Sequence, residues 1–227
     1  MEIANIYEKF DQIGSLTFAT IDKDTPQTRI VVLFAHDHEG LYFRTMITKP
    51  FYEQLKTTEK VSICGMFPET AVSHGEDGMP YHPPGYTIRA TGDVTEISLE
   101  TLKEKAAVND MFMLGVKDIA RYPAMTTFCL YRAWGEVYDF DFEMELRSHK
   151  LLRTEFSFGG KQIPFRGVRI TEECTACGEC QEGCSFKAIY RQDGQFIIDH
   201  TKCDVCGDCY VICPAGAIEI VIDDPKN

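Results

Sequence analysis

Eight of the ten cysteines in this 227-residue chain fall into two runs of one spacing. Cys174, Cys177, Cys180 and Cys184 are separated by two, two and three residues, and Cys203, Cys206, Cys209 and Cys213 repeat those gaps 29 positions later. Gly178 recurs as Gly207, Ala188 as Ala217 and Ile189 as Ile218, so the duplication includes the fold around the thiols. Three thiolates on one short loop can grip three irons of a cubane, and the fourth must come from a distant segment to close the cage. In this spacing the fourth cysteine of each run serves the other cluster. That predicts one ligand set of Cys174, Cys177, Cys180 and Cys213, and a second of Cys203, Cys206, Cys209 and Cys184. Zinc motifs pair two cysteines with two more, so a run of three with a fourth beyond it favours two 4Fe-4S clusters over two zinc ions.

Charge and composition narrow the classes further. The 23 basic against 35 acidic residues leave a net charge of −12, the wrong sign for holding a nucleic-acid backbone. The start of the chain lacks the basic and apolar stretches of an export signal, and no apolar run approaches the ~20 residues of a membrane helix. A cytoplasmic protein with reduced thiols, and no nucleic-acid or membrane partner, is expected. Residues 171–227 hold 11 acids and 4 bases, a denser negative charge than the rest. So short a segment has little core of its own, and metal binding should supply much of its folding free energy.

Residues 171–221 resemble a bacterial two-cluster ferredoxin domain, with one departure: Ser185 follows Cys184 where that family has proline, whereas Cys213 is followed by Pro214. The resemblance implies a small α+β fold and single-electron transfer with a protein donor or acceptor.

The preceding residues read as a mainly β domain. Ile3, Ile6, Tyr7, Phe10 and Ile13 share one face of a short helix ending at Gly14. Strands are predicted over 15–22, 27–35, 41–45, 60–67, 86–97 and 126–140, and helices over about 49–56 and after an N-cap at Ser98. Some six strands with few helices point to a small antiparallel barrel or sandwich. The expected division is a first domain over 1–140, a connector over 141–168 and the cysteine-rich domain over 169–227.

Several residues of the first domain suit a phosphorylated flavin. Arg29 heads the apolar run Ile30-Val31-Val32, setting a guanidinium beside a strand that could meet a flat ring. Thr45-Met46-Ile47-Thr48-Lys49-Pro50 joins a strand to a helix, with Thr48 as expected N-cap and Pro50 in the first turn. Free N–H groups, a hydroxyl and an ammonium would there converge on a dianion. These stretches, with Ile88-Arg89-Ala90-Thr91-Gly92-Asp93-Val94 and Trp134-Gly135-Glu136-Val137, resemble the pyridoxamine 5′-phosphate oxidase-like FMN-binding split barrels over residues 1–140. The resemblance implies an antiparallel split barrel forming a homodimer, with FMN at the subunit interface. Arg29, Thr48 and Lys49 would touch its phosphate, Ile30, Val31 and Val32 would lie along the ring, and Thr45 would assist. Trp134 would either approach the flavin from the partner subunit or fill the barrel core. Pro50 stands where true pyridoxamine phosphate oxidases have a second basic residue, so vitamin B6 oxidation is not expected. Arg147-Ser148-His149 lies too far beyond Trp134 to serve as their substrate grip.

Cys64 and Cys129 sit in apolar strand sequence and are expected in the core. His74 and His82 read as solvated loop residues, and Met111, Phe112 and Met113 as packing. No nucleophilic triad, dinucleotide fingerprint or phosphate loop is present, and no catalytic acid or base is assigned. The two halves together suggest a flavin and iron–sulfur oxidoreductase. It would pass electrons between an external redox protein, two 4Fe-4S clusters, FMN and a small organic substrate, and would suit an anaerobe. A non-catalytic carrier or redox sensor, or a barrel holding deazaflavin or haem, remain as alternatives.

Overall fold

A computed structural model describes residues 1–67, 73–78, 80–81, 85–139 and 153–223 of the chain. They form two compact units, Met1–Tyr138 with Glu155–Gln162, and Asp139–Thr154 with Ile163–Asn227. Arg147-Ser148-His149 and His82 lie outside the described residues.

The first unit opens with helix α1 (Ile3–Ile13), which buries Ile6, Tyr7 and Phe10 and stops at Gly14, where φ is 75° and the N–H closes onto the Phe10 carbonyl. Strands β1 (Leu16–Asp22), β2 (Thr25–Val31), β3 (Leu33–Asp37) and β4 (Gly40–Met46) follow as two hairpins. The stretch expected as one strand over 27–35 therefore breaks at Val32 into two, because β2 pairs with β1 and β3 with β4. Helix α2 (Pro50–Thr58) leads to β5 (Lys60–Phe67). A two-residue pair, β6 (Ser73–His74) and β7 (Pro80–Tyr81), precedes β8 (Tyr86–Ile97). Helices α3 (Leu99–Val108) and α4 (Met113–Arg121), joined by a 3-10 turn at Asp110–Phe112, lead to the long β9 (Met125–Asp139). Ser98 caps α3 as expected, its Oγ accepting from the Thr101 N–H at 3.1 Å.

One eight-stranded sheet takes the order β2-β1-β5-β8-β9-β4-β3, with β10 (Arg153–Phe158) added on β9. Residues read as connector thus contribute a strand, and Phe156 and Phe158 join the core. The sheet curls strongly. Three strands separate β1 from β4 in its order, yet the Phe18 and Phe43 ring centroids lie 4.9 Å apart inside it. Phe51 of α2 closes that cluster at 6.3 Å from Phe18 and 6.0 Å from Phe43. At Gly92 and Gly135 a Cβ would stand 2.1 Å from the carbonyl oxygens of Arg132 and Arg89, so β8 and β9 approach there at glycine distance.

β4 and the stretch of β9 paired with it, Thr126 to Leu130, are buried on both faces. Leu41, Phe43, Phe128 and Leu130 face the inner core, while Tyr42 and Cys129 face Leu102, Ala106 and Phe112 of the helical layer. Phe112 is packing, as expected, and so is Cys129. Cys64 is not: strand alternation sends Val61 and Ile63 inward and leaves Ser62 and Cys64 facing out. His74 is exposed.

The second unit is small and α+β. β11 (Phe165–Ile170) pairs with β14 (Ile218–Asp223), and β12 (Ile189–Gln192) with β13 (Gln195–Ile198), while two short helices, α5 (Glu179–Glu182) and α6 (Asp208–Ile212), carry the cysteine runs. The antiparallel β reading of the first unit and the α+β reading of the second both hold. Among the described residues no helix is long and apolar enough to cross a membrane.

The two isolated cysteines offer a check on the strand register. Cys64 is exposed, whereas burial pushes the Cys129 thiol up to about 12. Iodoacetamide applied to the native protein at pH 8, followed by peptide mass mapping, is expected to modify Cys64 and to leave Cys129 untouched until the chain is unfolded.

Candidate redox centre

Each cysteine run is shaped by the same backbone turns. Ala176 and Val205, immediately before the second cysteines, take left-handed φ of 56° and 57°, and the glycines after those cysteines, Gly178 and Gly207, take 93° and 85°. These glycines stand at the N-caps of α5 and α6, which carry the third cysteines, Cys180 and Cys209, into buried positions. The fourth cysteines follow the helices. Cys184 Sγ accepts from the Ala188 N–H and Cys213 Sγ from the Ala217 N–H, both at 3.3 Å. Such bonds stabilise charge on sulfur and hold each thiol in place.

The eight thiols line two cavities. One is lined by Cys174, Cys177, Cys180 and Cys213 with Ile170, Phe196 and Ile218. The other is lined by Cys203, Cys206, Cys209 and Cys184 with Phe186, Ile189 and Ile198. Each cavity therefore takes three cysteines from one run and the fourth from the other. Burial, and next the neighbouring thiolates, push Cys209 up to about 11 and raise Cys180 as well. Four sulfurs so placed repel one another when ionised, and cationic iron between them removes that penalty. Each set of four thiols lines one largely apolar cavity. That donor set suits a polynuclear cluster.

In the first unit Arg29 lies on β2 opposite Phe18. Its Nη1 donates to Thr20 Oγ1 at 2.6 Å and its Nη2 to Gln54 Oε1 at 2.7 Å, and the guanidinium stacks 4.3 Å over the Phe51 ring. Phe51 is the second residue of α2, so the cation stands at that helix's start. Thr48 and Lys49 precede the helix and are exposed. Lys49, not Thr48, is the N-cap: Pro50 occupies the first helical position and forces extended backbone on the residue before it, with ψ of 144°. Val31 packs against the core, while Ile30 and Val32 are 65% and 47% exposed. Thr45 is buried at the end of β4, paired with Thr126 of β9. Trp134 stands further along β9, half-buried and outside the buried core. Arg29 thus stands over Phe51 in the first turn of α2, and Thr48 and Lys49 immediately precede that helix in sequence. Alternation along β2 sets Arg29 and Val31 on its inner face and leaves Ile30 exposed on the other.

Sequence reasoning missed Thr20 and Gln54, the buried partners of Arg29. The alternation of β1 carries a signal for the first, since Leu16, Phe18 and Thr20 share its inward face.

Residues 173–218 match the 4Fe-4S dicluster domain family. An indolepyruvate oxidoreductase subunit IorA of Methanothermobacter marburgensis is 46% identical over 55 residues, 24% of this chain and 9% of that protein. Ferredoxin-1 of Chlorobaculum tepidum is 38% identical over 55 residues, 22% of this chain and 89% of that protein. This chain thus spans less than a tenth of the oxidoreductase subunit's length. A pyridoxamine 5′-phosphate oxidase-related, FMN binding protein from Nostoc punctiforme superposes with a TM-score of 0.44 at 16% identity, over 68% of this chain and 86% of that one.

Exchanging one thiol per cavity tests the cross-over. Cys184→Ser is expected to lower iron from roughly eight to roughly four atoms per chain, and to spare the cluster signal that Cys174→Ser or Cys213→Ser removes. Iron analysis and low-temperature EPR of the reduced protein read both effects. Loss of the same signal in Cys184→Ser and Cys174→Ser would mean that each run closes its own cage.

Proposed function

The chain belongs, through residues 173–218, to the 4Fe-4S dicluster family, and from that premise we propose an oxidoreductase that passes electrons between two 4Fe-4S clusters and FMN, to or from a small organic substrate. The observation that carries this reading is the pair of four-thiol cavities, each completed by a cysteine from the other run. When bound, the clusters move electrons singly and the flavin converts between one- and two-electron steps.

The chain's own part is to hold and tune. Cys174, Cys177, Cys180 and Cys213 hold one cluster, and Cys203, Cys206, Cys209 and Cys184 the other. Apolar side chains such as Ile170, Phe196, Phe186 and Ile198 line the two cavities and limit water around the sulfurs. The Ala188 and Ala217 N–H groups donate to one ligand sulfur in each set, which favours the reduced, more negative state. In the first unit Arg29, Thr48 and Lys49 would hold the FMN phosphate, the backbone of Ile30, Val31 and Val32 would run along the ring, with Val31 itself packed inward, and Thr45 would support the strand end. A second copy of the chain covers the exposed apolar side chains of β2 in a homodimer and brings Trp134 to the flavin. The acidic surface favours a redox partner with a basic face, and free thiols suit a reducing cytoplasm.

Purification without oxygen decides the cofactor set. The expected product is brown, contains roughly eight irons and eight sulfides per chain, and releases FMN on denaturation, identified by chromatography and mass. Release of a deazaflavin or haem would replace the flavin half of the proposal, and a colourless, iron-free product would remove it altogether.

A further inference from the structure

We infer that Gln54 and Thr20 are positioning residues that present Arg29, with its charge unspent, to the phosphate of FMN; this rests on the FMN reading above. Gln54 Oε1 accepts both from Arg29 Nη2 at 2.7 Å and from the Thr20 hydroxyl at 2.6 Å, filling its two lone-pair sites. Thr20 Oγ1 in turn accepts from Arg29 Nη1 at 2.6 Å, and the Phe18 carbonyl lies at 3.5 Å from the same nitrogen. Gln54 Nε2 donates to Asp22 Oδ2 at 3.4 Å, so the amide is turned with its oxygen to the guanidinium; reversed, its NH₂ would face a cation.

Two features separate this group from an ordinary structural contact. Thr20 and Gln54 are 5% and 6% exposed, so a polar pair has been buried beside Phe18 and Phe51. Their role there is directional. The described bonds all use the outer Nη atoms of Arg29, which leaves the Nε–H and the second Nη2–H as a parallel fork of the geometry that grips an oxyanion. The second feature is the chemistry of the partners. Arg44, Arg89 and Arg132 of the same unit face the carboxylates of Asp118, Glu136 and Asp93. Arg29 is held by an amide and a hydroxyl, which fix its plane without cancelling its charge. With the Phe51 ring 4.3 Å below it, the guanidinium is ordered before any ligand arrives, so binding an anion costs it little further side-chain entropy.

The test compares FMN with riboflavin, which carries the same ring and lacks the phosphate. Full-length chain with its clusters loaded, kept free of oxygen, is titrated with each flavin and read by quenching of flavin fluorescence. Gln54→Glu sets a carboxylate against Arg29 and is expected to weaken FMN by about tenfold or more, with riboflavin changed by less than about twofold. Gln54→Leu and Thr20→Val, which remove the bonds without adding charge, are expected to weaken FMN by a smaller factor, again sparing riboflavin. Circular dichroism checks folding, and either neutral variant suffices should Gln54→Glu not fold. Parallel weakening of both flavins, or no change in either, overturns the positioning role. A wild-type chain that does not distinguish FMN from riboflavin overturns the flavin-phosphate reading itself, and this inference with it.

Discussion

Closing a four-thiol cage from a chain that supplies only three thiols per loop is the constraint on which the second unit is built. Three cysteines spaced by two residues can surround one side of a cavity, and the fourth position must be filled by a segment that returns from elsewhere. Here the return is reciprocal: Cys184 leaves the first run to line the cavity of the second, and Cys213 does the reverse. Neither cavity exists without both runs. The pairing of β11 with β14 has the same logic, since it ties the strand before the first run to the strand after the second, with Ile170 opposite Ile218. A unit this small then obtains from metal–sulfur bonds the cohesion that a hydrophobic core would give a larger one.

The first unit solves a different problem, that of holding a cation and a helix start side by side. β2 lies at one end of the sheet order and β4 near the other. Only a strongly curled sheet brings their neighbourhoods together, and the Phe18, Phe43 and Phe51 cluster is the packing that enforces the curl. α2 is oriented by the same contacts, because Phe51 both fills that cluster and carries the Arg29 guanidinium on its ring. The inner core therefore sets the geometry of the polar site directly.

Much of this was legible in the sequence wherever a short-range rule dominates. Cysteine spacing gave the two thiol sets without reference to three dimensions, and period-2 patterns located β5 and β8 at their observed bounds. Contacts set by pairing were harder. One apolar run over 27–35 divides at Val32 because two different strands claim its halves, and β10 joins the sheet from a stretch whose mixed charge reads as connector. Cys64 looked like core because its neighbours are apolar, yet its parity, opposite to that of the inward Val61 and Ile63, settles its outward face. Thr48 looked like an N-cap by type, but Pro50 fixes the cap one residue later. Gln54 carried no signal, since a glutamine in an amphipathic helix is ordinarily solvated; only the fold places it under Arg29.

Charge ties the two units into one electrostatic argument. A chain with 35 acids and 23 bases that gathers eight thiols, and is proposed to bind a phosphate, must stabilise negative charge with few cations. In the second unit it does so with backbone dipoles, the Ala188 and Ala217 N–H groups on ligand sulfur, and with the iron that the thiols enclose. Arg44, Arg89 and Arg132 are committed to internal carboxylates and bring no net charge to a ligand. Arg29 is exempted from that economy by neutral acceptors, at the head of a helix whose own dipole is positive there. A carboxylate in place of the Gln54 amide would satisfy the same donors and anchor the guanidinium as firmly, yet it would cancel the attraction an anion feels at that helix start. The amide is thus the partner that separates holding an arginine from neutralising it.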